Sequence, residues 1–254
     1  MRTTFTKLVL LATLVVSFTS LSFAGPVNCA TMPSNPACAP SVTITYQTGN
    51  GPVQNLSNLG TAAYSNGSWL QSFTPQIFPN FLWTGGQLAS APDPFVGFSF
   101  GVINQSTQTM TFTYDFTTPY AGGPYGYVQT VFGDVLIDTN FSGTSKVTPT
   151  TANHYLMNTY DTGNLLSQVN IGKGCTTVSF VCTSPDDGNI GPLLYTSLAS
   201  GTLEVKGSFT LTKGSQYTIT GRSALLPIPE PGTLVLLGSG LIGLAGVVRR
   251  RKSL

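Results

Sequence analysis

The feature that most constrains this chain is a period of two in its apolar residues. In Thr109–Phe116 (TMTFTYDF), one methionine and three aromatic residues alternate with threonines and Asp115. Such alternation puts the apolar side chains on one face of an extended strand. The same pattern predicts further strands at Ser41–Gln47, Phe95–Val102, Tyr127–Ile137, Thr176–Val181, Thr202–Leu211 and Gln216–Gly221. Gly133 predicts a bulge in one of them.

Clusters of turn residues separate these strands. They lie at Gly49–Pro52, Gly85-Gly86, Ala121–Pro124, Asp186–Gly188 and Lys213-Gly214. No stretch between 25 and 226 shows a long apolar period of 3.6 residues, and threonine and serine dominate the polar faces. We therefore predict an all-β fold of eight to ten short strands, a single antiparallel β-sandwich or jelly-roll-like domain over residues 25–226. Ala224–Pro231 reads as a tether after the last strand.

The charge of the chain argues against a nucleic-acid-binding protein. Only 8% of the 254 residues are charged, and six of the eleven basic residues lie at the two ends. The part between Gly25 and Pro229 has five basic and eight acidic residues, a net charge of −3. A body of this charge does not neutralise a row of phosphates, so nucleic acid is not a predicted partner. No phosphate-binding glycine motif is present, and no cofactor is predicted.

The N-terminus predicts export. A short basic start is followed by the eleven apolar residues Leu8–Phe18 and the small residues Ser22 and Ala24. This is the layout of a secretory signal peptide over residues 1–24, recognised by the Sec machinery and signal peptidase. The apolar run is shorter than the ~20 residues of a membrane span, which disfavours an uncleaved anchor.

The C-terminus has three parts. Pro229, Glu230 and Pro231 precede the uncharged segment Gly232–Val248, which is followed by the basic tail Arg249, Arg250, Arg251 and Lys252. As a helix, seventeen residues extend about 25 Å, enough to cross a bilayer with some thinning. The basic tail favours the cytoplasmic side, so the chain's body lies outside.

These three parts resemble the PEP-CTERM sorting signal of Gram-negative bacteria over Pro227–Lys252, so the predicted sorting segment is 227–254. The resemblance implies recognition by an exosortase, a membrane transpeptidase, with processing near the triplet. It implies a chain held in the inner membrane before processing and located at the cell surface or outside afterwards. It also implies an organism that makes extracellular polysaccharide. A plain membrane anchor is the alternative.

Four cysteines form two local pairs, Cys29 with Cys38 and Cys175 with Cys182. Outside the cytoplasm cysteines form disulfides, and three connectivities are open. We favour the local one because each bridge then closes a short loop. A zinc site is disfavoured, since no CxxC spacing occurs and His154 is the only histidine; no metal site is predicted.

Candidates for catalysis are weak. His154 has no serine nucleophile motif near it. Asp134 and Asp138 share a strand face, and Asp115 on a neighbouring strand would give a carboxylate pair for glycoside hydrolysis. Asp186-Asp187-Gly188-Asn189 offers oxygens for calcium but reads better as a turn. We therefore predict a protein that is not an enzyme, with no catalytic residue.

Aromatic residues are the better candidates for ligand contact. Trp69 and Trp83 flank a segment rich in phenylalanine and proline, and Tyr120, Tyr125 and Tyr127 surround a glycine-rich turn. Aromatic rings on loops stack on sugars, but core packing explains them equally well. The sequence thus predicts an exported surface or matrix protein associated with exopolysaccharide. The alternatives are a carbohydrate-binding module that uses these aromatics and, less favoured, a glycoside hydrolase.

Overall fold

The computed structural model describes residues 38–91, 94–120, 122–123, 125–150, 155–169, 173–174, 181–183, 187–197, 201–228 and 239. These ranges contain seventeen strands, more than the eight to ten expected. The strands are β1 (Ser41–Thr48), β2 (Gln54–Asn55), β3 (Ala63–Ser65), β4 (Ser68–Phe73), β5 (Gln76–Ile77), β6 (Phe81–Ala91), β7 (Phe95–Asn104), β8 (Met110–Tyr120), β9 (Tyr125–Asp138), β10 (Lys146–Pro149), β11 (Met157–Asp161), β12 (Asn164–Val169), β13 (Lys173–Gly174), β14 (Val181–Thr183), β15 (Asp187–Ser197), β16 (Gly201–Leu211) and β17 (Ser215–Pro227).

The strands form two antiparallel sheets. Sheet 1 has the order β12-β11-β16-β8-β1-β2, and β10 also pairs with β16 and with β13. Sheet 2 has the order β14-β9-β17-β7-β6-β4-β3, with β15 beside β9 and β5 beside β6. The expectation of an all-β, sandwich-like fold is confirmed.

The core lies between the two sheets and is rich in aromatic rings. Phe116 of β8 packs on Phe98 of β7 with 4.9 Å between ring centroids. Phe209 of β16 meets Tyr217 of β17 at 5.0 Å. Each such pair adds about 0.5–1.5 kcal/mol beyond the area it buries. The period-two pattern of the sequence supplies these rings, because alternate residues of each strand point inward.

Strand prediction succeeded where alternation is long. The predicted segments in β1, β7, β8, β9, β16 and β17 are strands in the structure, and Lys213-Gly214 forms a turn. The predicted strand Thr176–Val181 lies outside the described residues except for its last residue, which begins β14.

Several local predictions are corrected by the structure. Gly85-Gly86 is not a turn: it lies inside β6, where the pairing with β7 shifts by one residue and Gly85 has a φ of 84°. Gly133 is not a bulge, because the β9–β17 register passes through it unbroken. Asp187 and Gly188 begin β15 instead of forming a turn. The expected tether is partly strand, since β17 continues through Ala224 to Pro227.

Candidate functional site

A cleft lies between a turn of sheet 1 and a turn of sheet 2. The turn between β1 and β2 forms one wall, and the turn between β5 and β6 forms the other. The cleft has a volume of about 250 Å³. We call it the aromatic cleft, because Tyr46, Phe78 and Phe81 line it.

The three rings form one cluster. Phe78 and Phe81 stack with 4.4 Å between centroids and only 4° between ring planes. Tyr46 tilts against both, at 4.6 Å from Phe81 and 5.7 Å from Phe78. Phe81 is buried, whereas Tyr46 and Phe78 are half-buried. The cleft therefore presents two partly exposed aromatic rings on a fixed base.

Polar groups surround these rings. The Tyr46 hydroxyl donates a hydrogen bond of 2.5 Å to the Gln54 side-chain oxygen. The exposed amide of Asn80 donates a long one, 3.5 Å, to the Thr48 hydroxyl. None of the described residues that line the cleft is charged. Aromatic faces beside amides and hydroxyls are the groups that recognise an uncharged, polyhydroxylated ligand.

Local sequence explains how each wall forms. Tyr46 and Gln54 are paired residues of the β1–β2 ladder, which places the hydroxyl beside the amide. The Gly51 backbone N–H donates to the Thr48 carbonyl at 2.9 Å and closes this turn. On the other side, the Phe78 N–H donates to the Phe81 carbonyl at 2.9 Å, and this bond keeps the two phenylalanines adjacent.

The two tryptophans do not reach a ligand surface. Trp83 is fully buried, and its indole stacks on Phe100 at 5.0 Å. Trp69 is 7% exposed and packs edge-on against Tyr64 at 5.4 Å. The structure therefore corrects their assignment as contact residues, because both belong to alternating strands whose inward face they fill.

Two of the three candidate tyrosines are buried as well. Tyr120 and Tyr125 are buried at the ends of β8 and β9, with their rings edge to face at 5.8 Å. Tyr120 also donates a hydrogen bond of 2.5 Å to Asp161. Only Tyr127, with 41% of its surface exposed, remains available for contact among the three. Burial thus corrects the assignment of Tyr120 and Tyr125.

The three aspartates considered for hydrolysis do not face one another. Asp115 is half-buried on the outer face of sheet 1, paired in register with Lys206. Asp134 and Asp138 lie on β9 in sheet 2, and both are buried. The expectation that Asp115 lies on a strand next to theirs is corrected, because β8 and β9 belong to different sheets.

Asp115 belongs to a small charged group on sheet 1. Burial raises the pKa of its carboxyl above the ordinary value, and the neighbouring Glu204 raises it further. Lys206 donates to Glu204 at 2.8 Å and lies over the Tyr160 ring at 4.3 Å. Burial lowers the pKa of Lys206, but the hydrogen bond to Glu204 and the negative charges of Glu204, Tyr160 and Asp115 together outweigh burial and leave the pKa raised.

Several predicted residues lie outside the described ranges. They are Cys29, Cys175, His154, the triplet Pro229, Glu230 and Pro231, and the basic tail 249–252. Of the cysteines, Cys38 is buried and Cys182 lies in β14, and their pairings stay predictions. In the ranges that the structure describes, no helix has the length and apolar character needed to cross a bilayer. The predicted span 232–248 is described only at Ser239.

In addition to the two-sheet antiparallel β-sandwich, the chain carries a sorting motif at its C-terminus. Residues 227–252 match the model of the PEP-CTERM protein-sorting motif. The resemblance drawn from the Pro-Glu-Pro triplet, the apolar segment and the arginine cluster is confirmed. The motif implies an exported protein that an exosortase processes.

Among solved structures, the chain is similar to carbohydrate-binding modules at low identity. One is TmCBM61 in complex with β-1,4-galactotriose, with 8% identity, coverage of 52% of this chain and 71% of the other, and a TM-score of 0.26. Another is the family 11 module from Clostridium thermocellum in complex with a mixed-linked tetrasaccharide, with 6% identity, coverage of 75% and 99%, and a TM-score of 0.20. Superpositions this loose establish neither a shared fold nor a shared ligand. No curated protein matches the sequence.

Proposed function

We propose that this chain is a non-enzymatic surface or matrix protein that associates with extracellular polysaccharide through the aromatic cleft. The sorting motif supports the location, because exosortase substrates are exported. The polysaccharide-binding role extends the carbohydrate-binding alternative, with a different set of contact residues from Trp69 and Trp83.

The observation that carries the proposal is the composition of the cleft. Tyr46 and Phe78 offer partly exposed ring faces on which a sugar can stack. Gln54 and Asn80 offer exposed amides that both donate and accept hydrogen bonds. Such a mixture recognises the apolar face and the hydroxyl rim of a pyranose together.

The charge of the cleft favours a neutral polymer. Because no described residue of its lining is charged, this lining offers no ionic partner for the carboxylates or sulfates of an acidic polysaccharide. The low charge of the whole chain points the same way. We therefore infer a neutral glycan as ligand.

A role without catalysis is supported by the separation of Asp115 from Asp134 and Asp138. Hydrolysis of a glycoside needs two carboxyl groups about 5–10 Å apart across one cleft. The described residues that line the aromatic cleft include no carboxyl group. Turnover of a polysaccharide by the purified chain would contradict this part of the proposal.

Affinity electrophoresis tests the binding role. The chain is run through gels that contain a mixed-linkage β-glucan, dextran, alginate or the exopolysaccharide of the producing cells. We expect retardation by a neutral polymer and none by alginate. Phe78→Ala and Asn80→Ala should each reduce retardation at least tenfold, with folding checked by circular dichroism.

The matched control is Tyr127→Ala, which removes an exposed aromatic residue far from the cleft in sequence. Tyr127 lies on β9, which the strands β17 and β7 separate from β6 in sheet 2. Retardation should survive this change. Loss with Tyr127→Ala but not with Phe78→Ala would contradict the cleft as the binding site, and absence of retardation by every polymer would contradict binding itself.

A further inference from the structure

The carboxylate of Asp138 is buried, and within the described part of the chain only one of its two oxygens has a hydrogen-bond partner. Asp138 ends β9 and is 1% exposed. Its Oδ2 accepts a hydrogen bond of 2.5 Å from the Gly143 N–H. Its Oδ1 is buried and has no hydrogen-bond partner among the residues that the structure describes. Burial of a charged carboxylate oxygen without a hydrogen bond lowers the stability of the fold, unless a cation lies beside the oxygen.

The loop that follows has oxygen-bearing side chains at alternate positions. Its sequence is Asp-Thr-Asn-Phe-Ser-Gly-Thr, over 138–144. Calcium loops of the EF-hand type take side-chain ligands from positions 1, 3 and 5, a glycine at 6 and a backbone carbonyl at 7. Asp138, Asn140, Ser142, Gly143 and Thr144 occupy these five positions.

The backbone has the turn that this pattern requires. Phe141 has a φ of 55° and Gly143 a φ of 67°, so the chain passes twice through the left-handed region. The Ser142 N–H donates to the Asn140 side-chain oxygen at 3.2 Å, which folds that side chain back over the loop. The loop is thus curled around the Asp138 carboxylate, whose Oδ2 it already contacts.

We propose that this loop binds a calcium ion. The ligands are Asp138 Oδ1, Asn140 Oδ1, Ser142 Oγ and the carbonyl of Thr144, all of them hard oxygens that suit Ca²⁺. Water completes the coordination shell. The bound ion would give Oδ1 the favourable contact that it lacks among the described residues.

The affinity should be low. Position 12 of the pattern, where a calcium loop has glutamate, is Pro149 here, so Asp138 contributes the only negative charge. Lys146 and Lys213 flank the loop and the adjacent turn, both exposed, and they weaken the attraction for a cation. We expect a Kd of about 10⁻⁴ to 10⁻³ M, the range of extracellular modules.

Binding would stabilise a corner of the sandwich. The loop joins β9 of sheet 2 to β10 of sheet 1, and it lies against the β16–β17 turn, which also crosses between the sheets. The Thr139 N–H donates to the Gly214 carbonyl at 2.9 Å. An ion bound at Asp138 would therefore stabilise both the β9–β10 loop and the β16–β17 turn that contacts it.

The test uses the full chain, purified in detergent, with CaCl₂ as the probe. Titration calorimetry should give one site in the stated range. Calcium at ten times the Kd should raise the Tm by about 3–6 °C relative to chelator, and magnesium should do so less. The exposed substitutions Asn140→Ala and Ser142→Ala should weaken binding tenfold or more, and Asp138→Asn should abolish it.

Two controls distinguish binding from folding. Asn50→Ala removes an exposed asparagine from another turn, and Asp134→Asn removes another buried carboxylate of β9; both should keep the calcium response. The proposal is overturned if calcium neither binds nor shifts the Tm of the unaltered chain. It is equally overturned if Asn140→Ala and Ser142→Ala respond to calcium as the unaltered chain does.

Discussion

The Tyr217 hydroxyl donates a hydrogen bond of 2.6 Å to Asp134 inside the core. The two residues are 83 positions apart in the chain and lie on the neighbouring strands β17 and β9. Both are buried, Tyr217 at 1% exposure and Asp134 at 6%. The bond therefore gives a buried carboxylate a polar partner among the aromatic rings of the core.

Tyr217→Phe removes this donor while it keeps the ring. We expect the free energy of unfolding to fall by about 1–3 kcal/mol, because a buried acceptor loses a hydrogen bond. Urea denaturation at pH 7 measures the change. Tyr127→Phe, at an exposed position, serves as control and should leave stability within about 0.5 kcal/mol. Equal stability of Tyr217→Phe and the unaltered chain would contradict the role given to the bond.

Alkaline pH should destabilise the chain through two buried tyrosines. Burial raises the pKa of Tyr114 well above 10.0, and burial together with Asp134 does the same for Tyr217. Above pH 10 the unfolded chain ionises its tyrosines while the native state keeps these two protonated, so stability is full below pH 10 and falls as the pH rises. Urea denaturation between pH 8 and 11 measures this fall. In the double variant Tyr114→Phe, Tyr217→Phe, the free energy of unfolding should fall less steeply with pH. An unchanged slope of that free energy against pH would contradict the role of the two tyrosines.

Asp115 should destabilise the chain at neutral pH. Burial and Glu204 raise the pKa of its carboxyl above 3.8, so the native state holds this proton more tightly than the unfolded state does. Stability from this group is therefore present at low pH and is lost as the pH rises from about 4 through the native pKa.

Asp115→Asn should then raise the free energy of unfolding at pH 7 and leave it unchanged near pH 3.5. Urea denaturation at several pH values measures the difference. Lys146→Gln, which removes an exposed charge from β10, should not alter the pH profile. Destabilisation by Asp115→Asn at pH 7 would show that attraction to Lys206 outweighs burial.

Gly207 is required by close packing. A Cβ at this position would lie 1.9 Å from the Leu156 carbonyl oxygen and 2.7 Å from the Tyr114 hydroxyl. That hydroxyl donates to the same carbonyl at 2.7 Å. Gly207→Ala must displace this bond, and we expect a loss of about 3 kcal/mol or more in unfolding free energy.

The control for this prediction is Gly67→Ala, where a Cβ meets nothing within 4 Å although φ is 81°. Backbone strain alone should lower the free energy of unfolding of Gly67→Ala by about 1–2 kcal/mol. Thermal and urea denaturation measure both variants, and a smaller loss for Gly207→Ala than for Gly67→Ala would contradict the packing account.

Alternation in the sequence was sufficient to predict the long strands. In β8, threonines on one face and aromatic residues on the other leave no alternative to a half-buried strand. The strand β6 was missed because Gly85-Gly86 is typical of a turn, and only the pairing with β7 reveals a bulge. Burial of Trp83 was equally unpredictable from local pattern, since a tryptophan beside prolines is compatible with a surface loop or with the core.

The aromatic cleft could not have been predicted from local sequence. Tyr46 belongs to sheet 1, whereas Phe78 belongs to a turn of sheet 2. Their meeting at 5.7 Å depends on how the sheets pack. The sorting segment shows the opposite case, because its Pro-Glu-Pro triplet, apolar run and basic tail are contiguous in the chain and need no fold to be recognised.

The central claim is that this chain is an exported cargo whose C-terminal segment is removed by an exosortase. Intact-mass spectrometry of the chain, recovered from the surface and extracellular fractions of cells with and without the exosortase, tests it most directly. With the enzyme, the account predicts a product that begins at Gly25 and ends near Pro229–Pro231, without the basic tail. Without the enzyme, the tail should remain and the chain should stay with the membrane. A chain that reaches the outside of exosortase-containing cells with Leu254 still attached would contradict the account.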